Sequence, residues 1–161
     1  MKTRLPAPVR PRVLAPIARV PGLDYDVLDE LLGYALRRAQ VGMFLAFHAA
    51  TRGREITPPR FTALVIVGAN PGIGQSALGQ VLGIARSGAM MLTDWMEAQG
   101  LAERRRRPND GRSWGVHLTP RGEKTLAAMK RSVLAEDRKR ARVLNAAERR
   151  TMLRLLEKLA G

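Results

Sequence analysis

The sequence contains no cysteine, which excludes disulfides, thiolate nucleophiles and cysteine-ligated zinc together. Histidine is nearly absent: His48 and His117 stand alone, in no metal-ligand spacing. No run of about 18 apolar residues occurs, so a membrane-spanning helix is not expected. The basic start Met1-Lys2-Thr3-Arg4 leads into Pro6, Pro8 and Pro11 rather than an apolar stretch, so neither is an ordinary secretory signal. A cytoplasmic location is the expectation. Ser76, Ser87, Ser113 and Ser132 lack any flanking motif for nucleophilic activation. Gly72-Ile73-Gly74, with Gly79 further on, misses the third glycine of a dinucleotide fingerprint and follows helical text rather than a buried strand. These glycines read as a turn between helices. No enzyme, metal or cofactor is expected.

Acidic residues are also scarce, 14 against 28 basic ones, for a net charge of +14. Only five of the basic residues are lysine; 23 are arginine, whose planar fork suits phosphate better than lysine's point charge. Nucleic acid is the first candidate partner, ahead of an anionic membrane or an acidic protein. A merely soluble basic protein stays open on charge alone, so the location of the charge decides. The 161 residues, 45% hydrophobic and 26% charged, fit one globular domain with a single core.

Residues 1–22 hold Pro6, Pro8, Pro11, Pro16 and Pro21, five basic residues and no acid. They cannot form a useful helix; they are either an arm packed on a neighbour or a disordered tail. Leu28, Leu31, Leu32, Ala35, Ala39, Met43 and Ala46 then predict one long amphipathic helix over roughly 25–50. Thr57-Pro58 opens a second helix carrying Phe61, Leu64 and Val65, stopped near Gly68 and Pro71. A third fits 75–82 with Leu78, Val81 and Leu82 inward. Gly83 breaks it, and a fourth runs about 86–99. Residues 101–105 and 114–118 read as two strands joined by the turn cluster Pro108-Asn109-Asp110-Gly111. Thr119-Pro120 starts a long helix to about 142, and Asn145-Ala146-Ala147-Glu148 has the form of a capping box. It opens a last helix with Met152, Leu155, Leu156 and Leu159 facing in.

Short helix, turn, helix and basic hairpin is the outline of a winged helix-turn-helix, in which one helix enters the major groove and the hairpin reaches sideways. The fold class expected is therefore mainly α with a small β-hairpin wing. In the fourth helix, Ala85, Ala89, Leu92 and Met96 form the packing side; Ser87, Met90, Met91 and Asp94 point the other way, with Arg86 at the start. Two outward methionines suit thymine methyl groups, unless the helix is rotated and they are core. Arg104, Arg105, Arg106 and Arg107 are consecutive and Arg112 lies across the turn. Strand alternation sends neighbours to opposite faces, so Arg106, Arg107 and Arg112 are placed near the tip and Arg104 and Arg105 lower. Asp110 is positioned to hold Arg112 by a charge-assisted bond, aiming it at a minor groove. The bland alternative is a solvated charge run. Ser76 and Gln80 are candidate phosphate contacts.

The segment Gln75 to Gly122 resembles the MarR (multiple antibiotic resistance regulator) family of transcription factors. The likeness is carried by Gln75-Ser76-Ala77-Leu78-Gly79-Gln80-Val81-Leu82-Gly83 and Met96-Glu97-Ala98-Gln99-Gly100-Leu101-Ala102-Glu103-Arg104. The wing Pro108-Asn109-Asp110-Gly111-Arg112 and its sequel Leu118-Thr119-Pro120-Arg121-Gly122 continue it. The family's wing Asp-x-Arg falls on Asp110 and Arg112, with Gly111 where the family often has arginine. Helix order extends the similarity over about 23–160. The resemblance implies an obligate homodimer on double-stranded DNA at a pseudo-palindromic operator, its recognition helices about 34 Å apart. It further implies repression relieved by a small anionic or aromatic ligand. Residues 23–56 and 119–161 would then form the N- and C-terminal dimerisation helices, and 57–118 the DNA-binding region.

For a ligand, Phe44, Phe47, His48, Phe61 and Trp95 are candidates to line an apolar pocket, and Arg37 or Arg38 to pair with an acid group. An aromatic carboxylate or its coenzyme A thioester would suit them. Aromatic residues at helical spacing are more often core, and a histidine such as His48 is more often a surface or hydrogen-bonded one, so that reading stays open. The competing functions are an architectural nucleic-acid binder without sequence choice and a module docking on acidic protein or membrane. A regulator that senses no ligand would keep the same fold.

Overall fold

A computed structural model describes residues 15–51, 56–107 and 110–161, the side chains of Arg107 and of residues 110–113 excepted. The expected features on residues 1–14, on Pro108-Asn109 and in the Asp110–Arg112 pairing lie outside the described residues. The chain divides into two compact units, Met1–Leu45 and Ala46–Gly161.

In the first unit the helix expected from residue 25 begins later. Asp26 sits at φ +44°, a conformation short polar residues tolerate, and its N–H donates to Asp24 Oδ1 at 2.9 Å. This turn passes through a 3-10 segment, Asp26–Asp29, before α1 runs over Leu32–Ala50. Residues 17–20, part of the expected arm, are tied to their own unit. The Ile17 carbonyl accepts from Arg38 Nε at 3.2 Å, and Tyr25 Oη accepts from the Val20 N–H at 2.8 Å. Arg19 lies 4.5 Å over the Tyr25 ring and pairs with Asp29 at 2.6 Å. That hydrogen bond raises the Arg19 guanidinium further above its ordinary range, so its charge is permanent. Leu28, Leu31, Leu32 and Met43 of the helical stripe are exposed.

The second unit carries α2 (Pro58–Ala69), α3 (Gln75–Leu82), α4 (Arg86–Ala98), β1 (Ala102–Arg107), β2 (Asp110–Leu118), α5 (Pro120–Arg140) and α6 (Ala146–Ala160). Prolines sit in the first turns of α2 and α5, where the missing N–H costs nothing. Leu64, Val67, Leu78, Met96, Val116 and Met129 are sealed from solvent, each contributing roughly 1.5–3 kcal/mol by burial. Thr93, also buried, satisfies its hydroxyl on the Ala89 carbonyl at 2.9 Å.

The strands are antiparallel, pairing Ala102 with Leu118 and Arg106 with Trp114, with an irregularity between Arg106 and Arg107. They reach further towards the tip than the sequence suggests. The turn at Gly72 also supplies a third, single-residue rung: Ile73 bridges Val116, with Gly72 N–H to the Val116 carbonyl at 2.9 Å. Gly115 permits this, since a Cβ there would lie 2.6 Å from the Gly72 carbonyl oxygen.

Thr119 caps α5 by accepting from the Gly122 N–H at 3.0 Å, and the Asn145–Glu148 capping box is fully formed on α6. Three burial expectations fail. Val81 is 57% exposed, because the eight-residue α3 turns only Leu78 and Gly79 fully inward. Ala85 is exposed because it caps α4 from outside the helix rather than packing along it. Met152, Leu155, Leu156 and Leu159 are exposed, and no residue of α6 is buried. Helical period puts those four on one face, and no element among the described residues covers that face. Among the described residues no helix is long and apolar enough to cross a membrane.

Candidate nucleic-acid interface

The turn at 83–85 holds α3 against α4, with Ile84 N–H bonded to the Gly79 carbonyl at 2.9 Å. Ala89, Thr93 and Met96 bury the inner side of α4. The outer side presents Arg86 and Ser87 in the first turn, then Met90 at 47% and Met91 at 70% exposure. The methionines are therefore solvent-facing, and the rotated-helix alternative is removed. Ser76 and Gln80 are exposed on α3.

The arginine run divides into residues with different surroundings. Arg104 faces α4, its guanidinium meeting Asp94 at 2.5 Å and Glu97, while its backbone N–H donates to Glu97 Oε1 at 2.9 Å. Arg105 turns to the other face and pairs with Glu103 within its own strand. Arg106 is exposed and lies 5.5 Å over the ring of Trp114. By backbone, Arg107 ends β1, and Asp110 and Arg112 open β2. The expectation that Arg104 and Arg105 sit below the tip matches the register. Sequence reasoning missed the tether from Arg104 to α4 and the partner of Arg106, because both are contacts between elements that no periodicity encodes. Strand alternation from Val116 offered the one hint that Trp114 shares a face with Arg106.

Arg104→Met should lower stability by about 1 kcal/mol in urea unfolding, since it strands a partly buried Glu97 carboxylate. Arg104→Met combined with Glu97→Gln should cost less than the sum of the two single changes.

The ligand candidates fall on both units. Arg37 is exposed and Phe44 half-buried in the first unit; Arg38 is engaged by the Ile17 carbonyl and stands 5.8 Å over the Tyr34 ring. In the second unit Phe47 and Phe61 pack with ring centroids 5.7 Å apart, and both lie against the core, as does Trp95. His48 is exposed, edge-on to Phe47 at 6.3 Å. Arg60, absent from the sequence reading, lies 4.4 Å over Trp95. The Trp95 Nε1–H is buried without a hydrogen-bond partner among the described residues. No cluster of potential metal ligands occurs among them either.

Comparison with known proteins follows the same outline. A family model described as the MarR family matches residues 55–113. A protein of Thauera aromatica assigned to transcriptional regulation of the hcr operon is 34% identical over 129 residues, covering 80% of this chain and 78% of the relative. The transcriptional repressor CouR, solved on a 23-mer DNA duplex, superposes with a TM-score of 0.81 at 36% identity, covering 86% of this chain and 99% of its own. CouR bound to p-coumaroyl-CoA gives a TM-score of 0.76 at 34% identity, covering 86% and 97%. Helix order, the two-stranded wing, and relatives that align over most of their length agree: the chain belongs to the MarR family of winged-helix transcriptional regulators.

Proposed function

We propose that the protein is a homodimeric, sequence-specific DNA-binding repressor, released from a pseudo-palindromic operator by a small aromatic or anionic ligand. The observation that carries this reading is the tether between wing and helix. Arg104 fixes the arginine-rich hairpin to a helix whose outer side is Arg86, Ser87, Met90 and Met91. Those four residues read base edges, with Ser76 and Gln80 on phosphates. Arg107 and Arg112 probe the minor groove, Asp110 holding Arg112 in pose, and Arg106 contacts DNA beside them. Residues 57–118 form the DNA-binding region. Residues 23–56 and 119–161 form the dimerisation region, in line with the exposed apolar residues of α1 and α6.

For the effector, an aromatic carboxylate or its coenzyme A thioester fits best. CouR, a structural neighbour, is known with p-coumaroyl-CoA. Phe47, Phe61 and Trp95 supply aromatic surface, and the unpartnered Nε1–H of Trp95 supplies a donor for a ligand oxygen. His48 is a further candidate beside Phe47 in the same unit; Arg37, Arg38 and Phe44 of the first unit are candidates by themselves. A ligand derepresses only by preferring the state that does not bind DNA.

The test is a titration of the DNA flanking the protein's own gene beside scrambled DNA of equal length, at several salt concentrations, with and without aromatic acids and acyl-coenzyme A thioesters. Tight binding to the native fragment, relieved by one compound class, is the expected result. Equal, steeply salt-dependent binding to both DNAs would leave an architectural binder, or an operator that lies elsewhere. Arg112→Ala should weaken binding to the native fragment by about 1–3 kcal/mol; unchanged affinity removes its assigned contact.

A further inference from the structure

On one face of the hairpin, Ala102 and Val116 are buried at its base, 3% and 1% exposed. Strand alternation places Arg106 and Trp114 on that same face. Trp114 stands two residues beyond Val116, about 7 Å further along the strand, where the core has ended and the indole is 50% exposed. A large flat apolar ring thus stands beyond the core, with a guanidinium 5.5 Å over it. Cation–π contact of this kind orients the cation without neutralising it. In Arg104 and Arg105, by contrast, the charge is answered by carboxylates. Among the described residues of the run, Arg106 is the one whose partner leaves its charge available, and its partner is a ring rather than an acid.

We propose that Arg106 and Trp114 form a composite contact for the sugar–phosphate backbone of duplex DNA. Arg106 meets a phosphate while the indole packs on the adjacent deoxyribose. This deepens the function proposed above and rests on it. Charge complementarity selects the occupant: the ring lies within a hairpin carrying Arg104 to Arg107 and Arg112, and a deoxyribose flanked by phosphates offers an apolar surface between two anions. A contact to sugar and phosphate carries no base information. Trp114 therefore contributes affinity and leaves sequence preference alone.

The chain has two tryptophans, so Trp95→Phe leaves Trp114 as the single indole emitter. Acrylamide quenching of that variant is measured with and without a labelled duplex from the region flanking the gene, whose anisotropy reports binding independently. The expected result is strong protection of Trp114 on saturation with DNA. Trp114→Ala should weaken binding about tenfold on the native and the scrambled duplex alike, and Trp114→Phe should retain most of the affinity. Should Trp95→Phe not fold, the quenching difference between the wild-type chain and Trp114→Phe isolates the same signal. DNA that binds while Trp114 stays accessible overturns this contact and leaves the repressor reading standing. Loss confined to the native duplex overturns it too, by making Trp114 a base reader. Protection already present without DNA, and lost on dilution, would place Trp114 between copies of the chain and also overturn it. Absence of any DNA binding in the anisotropy would remove both readings together.

Discussion

Gly122→Ala is expected to lower the stability of the folded chain by about 3 kcal/mol or more, the largest effect of any single methyl group added here. A Cβ at position 122 would lie 1.9 Å from the Leu101 carbonyl oxygen and 2.9 Å from its carbon. These are backbone atoms, so no rotamer change relieves the overlap. The carbonyl cannot retreat without loss, because it accepts the Thr119 N–H at 3.0 Å. The Gly122 N–H is itself held by Thr119 Oγ1, which donates in turn to the Gly100 carbonyl at 2.8 Å. One added methyl group therefore opposes the cap of α5 and the entry to β1 at once. Urea unfolding checks the effect through a lower midpoint, with circular dichroism confirming the native state. Gly33→Ala is the control: its Cβ would meet nothing within 4 Å, so its helix should gain up to about 1 kcal/mol. Equal stability of Gly122→Ala and wild type would mean that α5 does not approach Leu101 so closely.

Operator affinity should fall about 10⁴-fold between 50 and 200 mM salt. The number follows from the arginines proposed to contact DNA rather than from the net +14. Arg104 and Arg105 are ion-paired within the protein and release few counterions on binding. The arginines proposed above to contact DNA, Arg86, Arg106, Arg107 and Arg112, would supply about eight cations in the proposed dimer, giving a slope of roughly −7 in log K against log salt. Arg112→Ala, removing two of these from a dimer, should reduce the magnitude of that slope by about 2. A fluorescence anisotropy titration across the salt series measures both. A slope near −2 would remove the assignment of these arginines to DNA contacts.

The elements were legible wherever a local rule fixes them. Thr119-Pro120 and the Asn145 capping box announced helix starts that the structure reproduces, because a cap is settled within four residues of chain. The 3.6-residue period likewise identified the outward methionines of α4. What was not legible depends on contacts between elements. The stripe of α6 showed that one face is apolar but not whether this chain covers it. Four consecutive arginines looked alike as text, yet strand register and the carboxylates of α4 separate Arg104 from Arg106. The start of α1 was misplaced because the positive φ at Asp26 has no signature beyond a residue type that tolerates it.

The capping box of α6 bears on the order in which the protein is made. An isolated helix of 15 residues is marginal in water, and this one buries no residue within its own chain. Asn145 and Glu148 close both ends of the local loop, and a cap of this kind contributes about 1 kcal/mol without help from any other element. Helix formation in α6 thus precedes coverage of its apolar stripe, and a newly synthesised chain carries a formed but uncovered hydrophobic ridge. Refolding should show a first phase in helical signal that is independent of protein concentration, followed by a second that accelerates with it. Chains diluted out of denaturant in large excess would meet one another through that ridge, so aggregation competes most strongly at the moment when folding of each chain is already complete.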